Sequence, residues 1–213
     1  MIQQQVLIGP HALAGELALP AGGRGLVLFA HGSGSSRLRP RNRFVADLLH
    51  VQRLGTLLFD LLTDTEGRDV ANVFDIALLA QRLLQAMAWV RERPDLRGLR
   101  AGLFGASTGA AAALVAAAER PHDVSAIVSR SGRPDLAGPA LAKVGAPTLL
   151  LVGALDAEVL AHNRDALRQL TCEKRLEVIP RATHLFEEAG TLERAAHSAC
   201  DWLASHLGAH GAR

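Results

Sequence analysis

The feature that most constrains the fold of this chain is the pentapeptide at 105–109, Gly-Ala-Ser-Thr-Gly, which follows a short apolar run and precedes an alanine-rich stretch. A short apolar run indicates a buried strand, and the alanines indicate a closely packed helix. Because the backbone must turn sharply between the two, the residues two before and two after Ser107 must be small. The segment therefore predicts a tight connection from strand to helix, with Ser107 at its apex.

A serine at such a turn is a candidate nucleophile, because the turn holds its hydroxyl clear of the strand and of the helix. The helix also begins directly behind the serine, so the backbone N–H of Thr108 and the positive end of the helix dipole face any oxyanion formed there. We therefore predict that Ser107 supplies the attacking oxygen and that the N–H of Thr108 stabilises the negative charge that develops.

Short apolar runs recur along the chain, each bounded by Gly, Pro or polar residues. Their apolarity is continuous rather than alternating, which is typical of strands that helices cover on both faces. Eight strands are predicted, at 5–8, 15–19, 26–30, 57–59, 100–104, 126–128, 148–152 and 175–179. Helices are predicted at 42–53, 72–93, 108–120, 158–170 and 191–207. The first two strands have no helix between them and predict a hairpin at the sheet edge.

This alternation predicts the α/β class, with a mostly parallel sheet of about eight strands between two layers of helices, three layers in all. The link between the strands that end at Val128 and begin at Thr148 is too short for a cap domain, so we expect an active site open to solvent. With 213 residues, 49% of them hydrophobic, the chain can bury one substantial core. We expect a single domain over 1–213.

Composition argues against several classes of protein. A net charge of +2 and an aromatic content of 4%, without tyrosine, offer little for binding nucleic acid. The first ten residues lack the basic flank and apolar run of a signal peptide, and no apolar run is long enough for a membrane span, so we expect a cytoplasmic protein. Cys172 and Cys200 form no Cys-x-x-Cys pair, so neither a metal site nor a disulfide is expected.

A serine nucleophile needs a base, and the base needs a third group to hold its tautomer. Asp156 follows the strand predicted at 148–152, and His184 follows the strand predicted at 175–179. Open parallel sheets carry their functional residues at these carboxyl ends. The order Ser, Asp, His along the chain is typical of α/β-hydrolases, so we predict a triad of Ser107, Asp156 and His184.

Simpler interpretations of these residues exist. The turn at Ser107 could serve packing alone, and Asp156 could cap the helix that follows it, which would leave Asp135 and Glu158 as reserve acids. The chain has nine histidines, so the position of His184 directly after a strand is what selects it. Two other late histidines fall within the last predicted helix, where surface or packing roles are expected: His197 and His206.

A second oxyanion donor is expected from the loop after the strand at 26–30, which reads His-Gly-Ser-Gly-Ser-Ser from His31. Its glycines let a backbone N–H approach the substrate oxygen, and we assign this donor to Ser33. Gly34, in the same loop, is a candidate for substrate binding.

These motifs resemble those of the dienelactone hydrolase-like group of α/β-hydrolases. The resemblance spans about residues 24–207 and rests on the segments 31–34, 105–109 and 153–156 and on Thr183-His184. It implies a lidless α/β-hydrolase fold and hydrolysis of a small-molecule carboxylic ester without cofactor or metal. Dienelactone hydrolases proper carry cysteine where this chain has Ser107, so a dienelactone substrate is not implied. Similar serine-bearing proteins also occur joined to a phosphoribosyltransferase domain, which implies a functional link to such an enzyme.

Several alternatives stay open from the sequence. The same triad could cleave a thioester, a lactone or a peptide, and an α/β-hydrolase fold can also serve as a binding module without activity. A phosphate-binding turn is disfavoured, because Gly102, Gly105 and Gly109 do not fit the spacing Gly-x-Gly-x-x-Gly.

Arg130 lies two residues past a predicted strand, near the expected mouth of the site, where it could form a salt bridge or bind a substrate carboxylate. Arginine occupies every second position from 37 to 43, and this pattern is more typical of a solvated loop and helix start than of an anion site. Together with Arg130 these arginines motivate the hypothesis of a preference for acyl groups that carry a negative charge. Trp89 and Trp202 are expected to pack in the core, and exposed helices at the sheet edge could support a homodimer.

Overall fold

The computed structural model describes residues 1–32 and 37–208. This part of the chain holds eight strands: β1 (Ile2–Ile8), β2 (Leu13–Leu19), β3 (Gly25–Ala30), β4 (Leu54–Phe59), β5 (Arg100–Ala106), β6 (Ala126–Arg130), β7 (Thr148–Gly153) and β8 (Lys174–Ile179). It also holds six α-helices: α1 (Pro40–Val51), α2 (Val70–Phe74), α3 (Ile76–Glu92), α4 (Thr108–Glu119), α5 (Ala157–Gln169) and α6 (Thr191–Leu207). Short 3-10 segments lie at Glu66–Arg68, Pro94–Leu96 and Pro134–Lys143.

The strands form one sheet in the order β1-β2-β4-β3-β5-β6-β7-β8. β1 and β2 make an antiparallel hairpin at one edge, and β2 is also antiparallel to β4. From β4 to β8 every neighbouring pair is parallel. The predicted fold class, a mostly parallel sheet of eight strands flanked by helices and without a cap domain, is confirmed.

Helices cover both faces of the sheet, which is why the central strands are apolar along their whole length. Leu26 and Leu28 of β3 pack on one face with residues of α3, α4 and α5. Val27 and Phe29 of the same strand pack on the other face with residues of α1 and α6. Trp202 is buried in this second cluster, and Trp89 packs against the first, as expected. Within the described residues, no helix combines the length and the apolarity that crossing a bilayer requires.

The helix predicted at 72–93 is two helices, and that prediction was wrong at Asp75. The backbone at Asp75 is extended, and its carboxylate accepts a hydrogen bond from the N–H of Leu78 at 3.0 Å. This is an N-cap, which ends α2 and begins α3. By periodicity alone, Asp75 fits a polar position of one long helix, because the pattern carries no sign of the hydrogen bond between its carboxylate and the N–H of Leu78.

Parallel strands bring the ends of β5, β7 and β8 to one edge of the sheet, although these strands lie far apart along the chain. Ser107, Asp156 and His184 all follow those strand ends. The topology therefore gathers the three predicted residues at one edge. A single domain and a homodimer stay predictions.

Candidate active site

The turn between β5 and α4 has the sharp geometry that the pentapeptide predicts. Ser107 has φ 51° and ψ −125°, a conformation that costs energy in any residue other than glycine. A Cβ on Gly105 would lie 2.4 Å from the Cα of Ala110, and one on Gly109 would lie 2.1 Å from the carbonyl oxygen of Ala30. Only hydrogen fits at either position, so the backbones of strand and helix can approach closely behind Ser107.

We expect Gly109→Ala to lower the free energy of unfolding by about 3 kcal/mol, because the new methyl group strikes the rigid backbone of β3. Urea unfolding followed by circular dichroism measures this loss. Gly145→Ala is the matched control, since a Cβ there meets nothing within 4 Å, and it should change stability by less than about 0.5 kcal/mol. Equal stability of the two variants would contradict the close approach at Gly109.

Asp156 and His184 form a hydrogen-bonded pair. Asp156 stands at the N-cap position of α5, but its side chain makes no capping bond there. It accepts a hydrogen bond from Nδ1 of His184 at 2.6 Å instead. Because a carboxylate only accepts, Nδ1 carries the proton and Nε2 is left as the acceptor. The geometry thus favours the orienting role over the capping role for Asp156.

Three contacts between loops hold this pair in place. A Cβ on Gly153 would lie 2.3 Å from the carbonyl oxygen of Ala182, so the loops after β7 and β8 are in direct contact. The N–H of Leu155 donates to the same oxygen at 2.9 Å. The hydroxyl of Ser131 donates to the carbonyl oxygen of His184 at 2.8 Å. Three loops therefore fix the position of the imidazole.

Ser107 and His184 line the same cavity, but no hydrogen bond joins these two described side chains. The His184 side chain is 42% exposed, and the loop that carries it is at the protein surface. Catalytic hydrogen bonds are often long without substrate and tighten in the Michaelis complex. The structure therefore brings the three predicted residues to one site, with the Asp–His contact formed and the Ser–His contact open.

The other acids and histidines that the sequence offered lie elsewhere. The Asp135 carboxylate is paired with the guanidinium of Arg133 at 2.7 Å. Glu158 is exposed and lies beside His162 within α5. The two late histidines belong to α6: His197 bonds to the backbone of its own helix, and His206 stacks beside Trp202.

The N–H of Thr108 is available to an oxyanion, because Thr108 is the first residue of α4 and its N–H has no acceptor within the helix. The loop after β3 passes directly against Ser107, since a Cβ on Gly32 would lie 2.5 Å from the Cβ of Ser107. The assignments of Ser33 and Gly34 lie outside the described residues.

Asp60 is a residue that sequence reasoning missed. Its carboxylate accepts from the backbone N–H of Arg37 at 2.9 Å, pairs with the guanidinium of Arg37, and lies 3.4 Å from Nε2 of His31. His31 also contacts the carbonyl oxygen of Gly32 through Nδ1 at 3.3 Å. His31 and Arg37 precede and follow the loop assigned to the second oxyanion donor, so Asp60 holds both of its ends. The available signal was an acid directly after a buried apolar run, the same signal that identified Asp156.

Burial alone would raise the pKa of Asp60, but the hydrogen bonds from His31 and from the backbone of Arg37, with their charges, outweigh it and lower the pKa. A carboxylate whose pKa is lowered in the folded state stabilises the fold above its ordinary pKa, and this contribution is lost as the pH falls through the lowered value.

We expect Asp60→Asn to lower kcat by about 10-fold, because the loop beside Ser107 loses its anchor, and to lower the free energy of unfolding by about 2 kcal/mol at pH 7. The stability difference from wild type should shrink as the pH falls below about 4, the ordinary pKa of an aspartate, and should be lost below the lowered pKa of Asp60 in the folded state. Steady-state kinetics and urea unfolding across pH measure both effects. Asp201→Asn is the matched control, since Asp201 is an exposed residue of α6, and a similar loss of kcat there would refute the anchoring role.

Two cavities meet at Gly32, beside Ser107. The first, which we call the arginine cavity, has a volume of about 640 Å³. Its lining residues are Gly32, Arg39, Pro40, Arg41, Asn42, Ala106, Ser107, Arg130, Ser131, His184 and Leu185. The second, which we call the leucine cavity, has a volume of about 370 Å³. Its lining residues are His31, Gly32, Arg37, Leu38, Asp60, Leu61, Leu62, Thr63, Asp64, Gly67, Val73, Leu79 and Thr108.

Arg130 lines the arginine cavity, and no carboxylate in the described part of the chain pairs with it. Its Nη2 donates to the side-chain oxygen of Asn42 at 3.3 Å, and its guanidinium lies 5.4 Å from the centre of the Phe104 ring. Its Nη1 is buried and has no hydrogen-bond partner among the described residues. Of the two roles considered for Arg130, the salt bridge is therefore not formed.

The described residues contain no group of three or more His, Cys, Asp or Glu side chains arranged to hold a metal ion. The site consists of a serine on a strained turn, an oriented imidazole and a helix N-terminus. Such an arrangement is suited to nucleophilic attack on a carbonyl group.

Solved structures that resemble this chain include hydrolases and esterases. The dienelactone hydrolase of Anabaena variabilis is 54% identical, with a TM-score of 0.92 and 97% of each chain covered. Est1E from Butyrivibrio proteoclasticus is 14% identical with a TM-score of 0.79, over 97% of this chain and 99% of that one, and shows the fold alone. No family model matches the chain.

Two curated proteins of Mycobacterium tuberculosis, from different strains, are each 56% identical over 203 residues. Their names assign them provisionally to the phosphoribosyl transferases. The match takes in 95% of this chain but 46% of each relative, so the chain spans about half of their length.

Proposed function

Because the chain belongs to the dienelactone hydrolase family of α/β-hydrolases, and is therefore a hydrolase, we propose that Ser107 is the nucleophile that cleaves a carboxylic ester of small to medium size. The observation that carries this proposal is the hydrogen bond of 2.6 Å between His184 and Asp156, at the edge of a cavity that also holds Ser107. The strained backbone of Ser107 supports it, since strain of this kind is concentrated at functional sites.

In the proposed mechanism, Nε2 of His184 takes the proton of the Ser107 hydroxyl as its oxygen attacks the ester carbonyl. Asp156 holds the imidazole in the required tautomer and stabilises its positive charge. The N–H of Thr108, with the N–H that we assign to Ser33, binds the oxyanion of the tetrahedral intermediate.

When the intermediate collapses, the bond to the leaving alcohol breaks and His184 gives its proton to the alcohol oxygen. An acyl group then remains on Ser107. Water attacks this acyl-enzyme while His184 removes one of its protons, and the carboxylic acid leaves as the serine regains its proton. The net reaction consumes one water and yields one acid and one alcohol.

A fluorophosphonate probe tests the proposal, because it reacts only with an activated serine. We expect labelling at Ser107, located by mass spectrometry of peptides, together with hydrolysis of p-nitrophenyl acetate. Absence of both labelling and hydrolysis would favour a binding module that shares the fold. Labelling at Ser131, the second serine in the described lining of the arginine cavity, would refute the assignment of the nucleophile.

A lactone is a second candidate substrate, because the structure that is 54% identical is named a dienelactone hydrolase. The same steps apply, except that the alcohol stays attached to the acyl group. Comparing kcat/KM for a lactone and an open ester of matched acyl group would decide between them. A functional link to phosphoribosyl transfer stays a proposal that rests on family resemblance and on the names of the longer relatives, as does a cytoplasmic location.

A further inference from the structure

The reaction geometry assigns one cavity to each half of an ester. The leaving oxygen must lie within hydrogen-bond distance of Nε2 of His184, because His184 protonates it. His184 lines the arginine cavity and not the leucine cavity. Thr108, which we assign to the oxyanion, lines the leucine cavity. The leaving alcohol therefore extends into the arginine cavity, and the acyl chain extends past Gly32 into the leucine cavity.

The two cavities differ in charge. The described lining of the arginine cavity contains three arginines and no carboxylate. One of them, Arg41, pairs with Glu187 at the protein surface. The leucine cavity contains Asp60, whose charge is matched by its partner Arg37, and Asp64, so its described lining has no excess of positive charge. An anion would therefore be attracted into the arginine cavity rather than into the leucine cavity.

Arg130 is the strongest determinant in the arginine cavity, because its guanidinium lacks a counter-charge among the described residues. Burial, and secondarily the charge of Arg41, lowers its pKa to about 10, so the group is still charged at neutral pH. A largely buried charge without a partner is costly, and a bound anion would supply the missing partner.

We propose that the substrate carries its negative charge on the leaving alcohol, as a carboxylate or a phosphate group that binds Arg130, and that its acyl group is uncharged. This inference rests on the proposed ester hydrolysis. It differs from the sequence-based hypothesis of a charged acyl group, because Arg130 lies on the His184 side of the nucleophile.

Matched pairs of esters test the proposal at low salt. The first pair is 4-acetoxybenzoate and its methyl ester, which share the acetyl group and differ in the charge of the leaving group. The second pair is 4-acetoxyphenyl phosphate and its dimethyl ester. The third pair carries the charge on the acyl side: the mono-succinate ester of methyl 4-hydroxybenzoate and its methyl ester.

We expect kcat/KM to be about 10- to 100-fold higher for the anionic member of the first or second pair. A charge-assisted hydrogen bond between Arg130 and the anion stabilises binding by an amount of this size. The larger of the two ratios identifies carboxylate or phosphate as the bound group. The third pair should show no such preference. Added salt should reduce the preference, because it screens the attraction.

Variants locate the effect. Arg130→Met should bring the ratio of each leaving-group pair close to one, and Arg130→Lys should keep part of the preference. Arg43→Gln is the matched control, since Arg43 belongs to the same arginine-rich stretch, lines neither cavity and pairs with Glu16. It should keep the full ratio. Thermal unfolding shows whether each variant is folded, and if Arg130→Met is not, the wild-type ratios and Arg130→Lys decide.

The failure of this inference differs from failure of the proposed function. Equal kcat/KM within the first two pairs, or a preference for the anionic member of the third pair, overturns the leaving-group assignment while ester hydrolysis stands. A preference that Arg130→Met retains overturns the role of Arg130. Absence of hydrolysis for every ester, with no probe labelling at Ser107, overturns the proposed function itself.

Discussion

Replacing Ser107 with alanine should lower kcat for p-nitrophenyl acetate by about 10⁵- to 10⁶-fold, because in the proposed mechanism the hydroxyl of Ser107 carries the acyl group. The fold should survive, since only one oxygen atom is removed from a half-buried side chain and alanine adopts the same backbone angles. Fixed-time assays with purified protein, run over hours, measure the residual rate of hydrolysis. Circular dichroism and thermal unfolding report the fold.

Two further serine variants make this result specific. Ser205→Ala, in α6 and away from both cavities, should keep wild-type kcat. Ser131→Ala removes the hydroxyl that bonds to the backbone of His184, so we expect a loss of at most about 10-fold through poorer positioning. Full esterase activity in Ser107→Ala would refute the serine mechanism.

Asp156→Asn should lower kcat by about 10³- to 10⁴-fold at pH 7, the second largest effect expected. An asparagine keeps the size of the side chain but removes the charge, and its amide can donate to Nδ1 and so favour the wrong tautomer of His184. KM should change little, because Asp156 does not line either cavity. Steady-state kinetics with a neutral ester separates the two parameters.

The reserve acids serve as matched controls. Asp135→Asn and Glu158→Gln each replace a carboxylate by an amide, as Asp156→Asn does. Asp135 pairs with Arg133, and Glu158 lies beside His162. Each should change kcat by less than about 3-fold. A loss in Asp135→Asn as large as that in Asp156→Asn would show that the orienting acid had been misassigned.

Sequence reasoning succeeded where local signals agree with the tertiary structure. The parallel strands are buried on both faces, so their continuous apolarity marked them, and all eight were found. The last helix matches its predicted bounds. The prediction of one helix at 72–93 was wrong at Asp75, where a single hydrogen bond from the backbone to the Asp75 side chain divides a stretch that is helical by pattern.

In the site, too, local sequence signals identified some residues and tertiary contacts decided others. A motif identified Ser107, and position after a strand selected Asp156 and His184 from many acids and histidines. Asp60 carried the same positional signal and was passed over, because its partners His31 and Arg37 are brought to it only by the pairing of β3 with β4. Whether Arg130 pairs with a carboxylate was equally undecidable, since its neighbours Asn42 and Phe104 come from distant segments.

The sequence by itself determined the class of fold, the sharp turn at Ser107 and the chain order of the three candidate catalytic residues, because these depend on burial periodicity and on the small size of neighbouring residues. Only the tertiary structure decided that Asp156 bonds to His184 rather than caps α5, that Asp60 anchors the loop beside Ser107, and that Arg130 lies on the His184 side of Ser107. These outcomes depend on contacts between residues far apart in the chain, and such contacts are set by packing and strand order rather than by any local pattern.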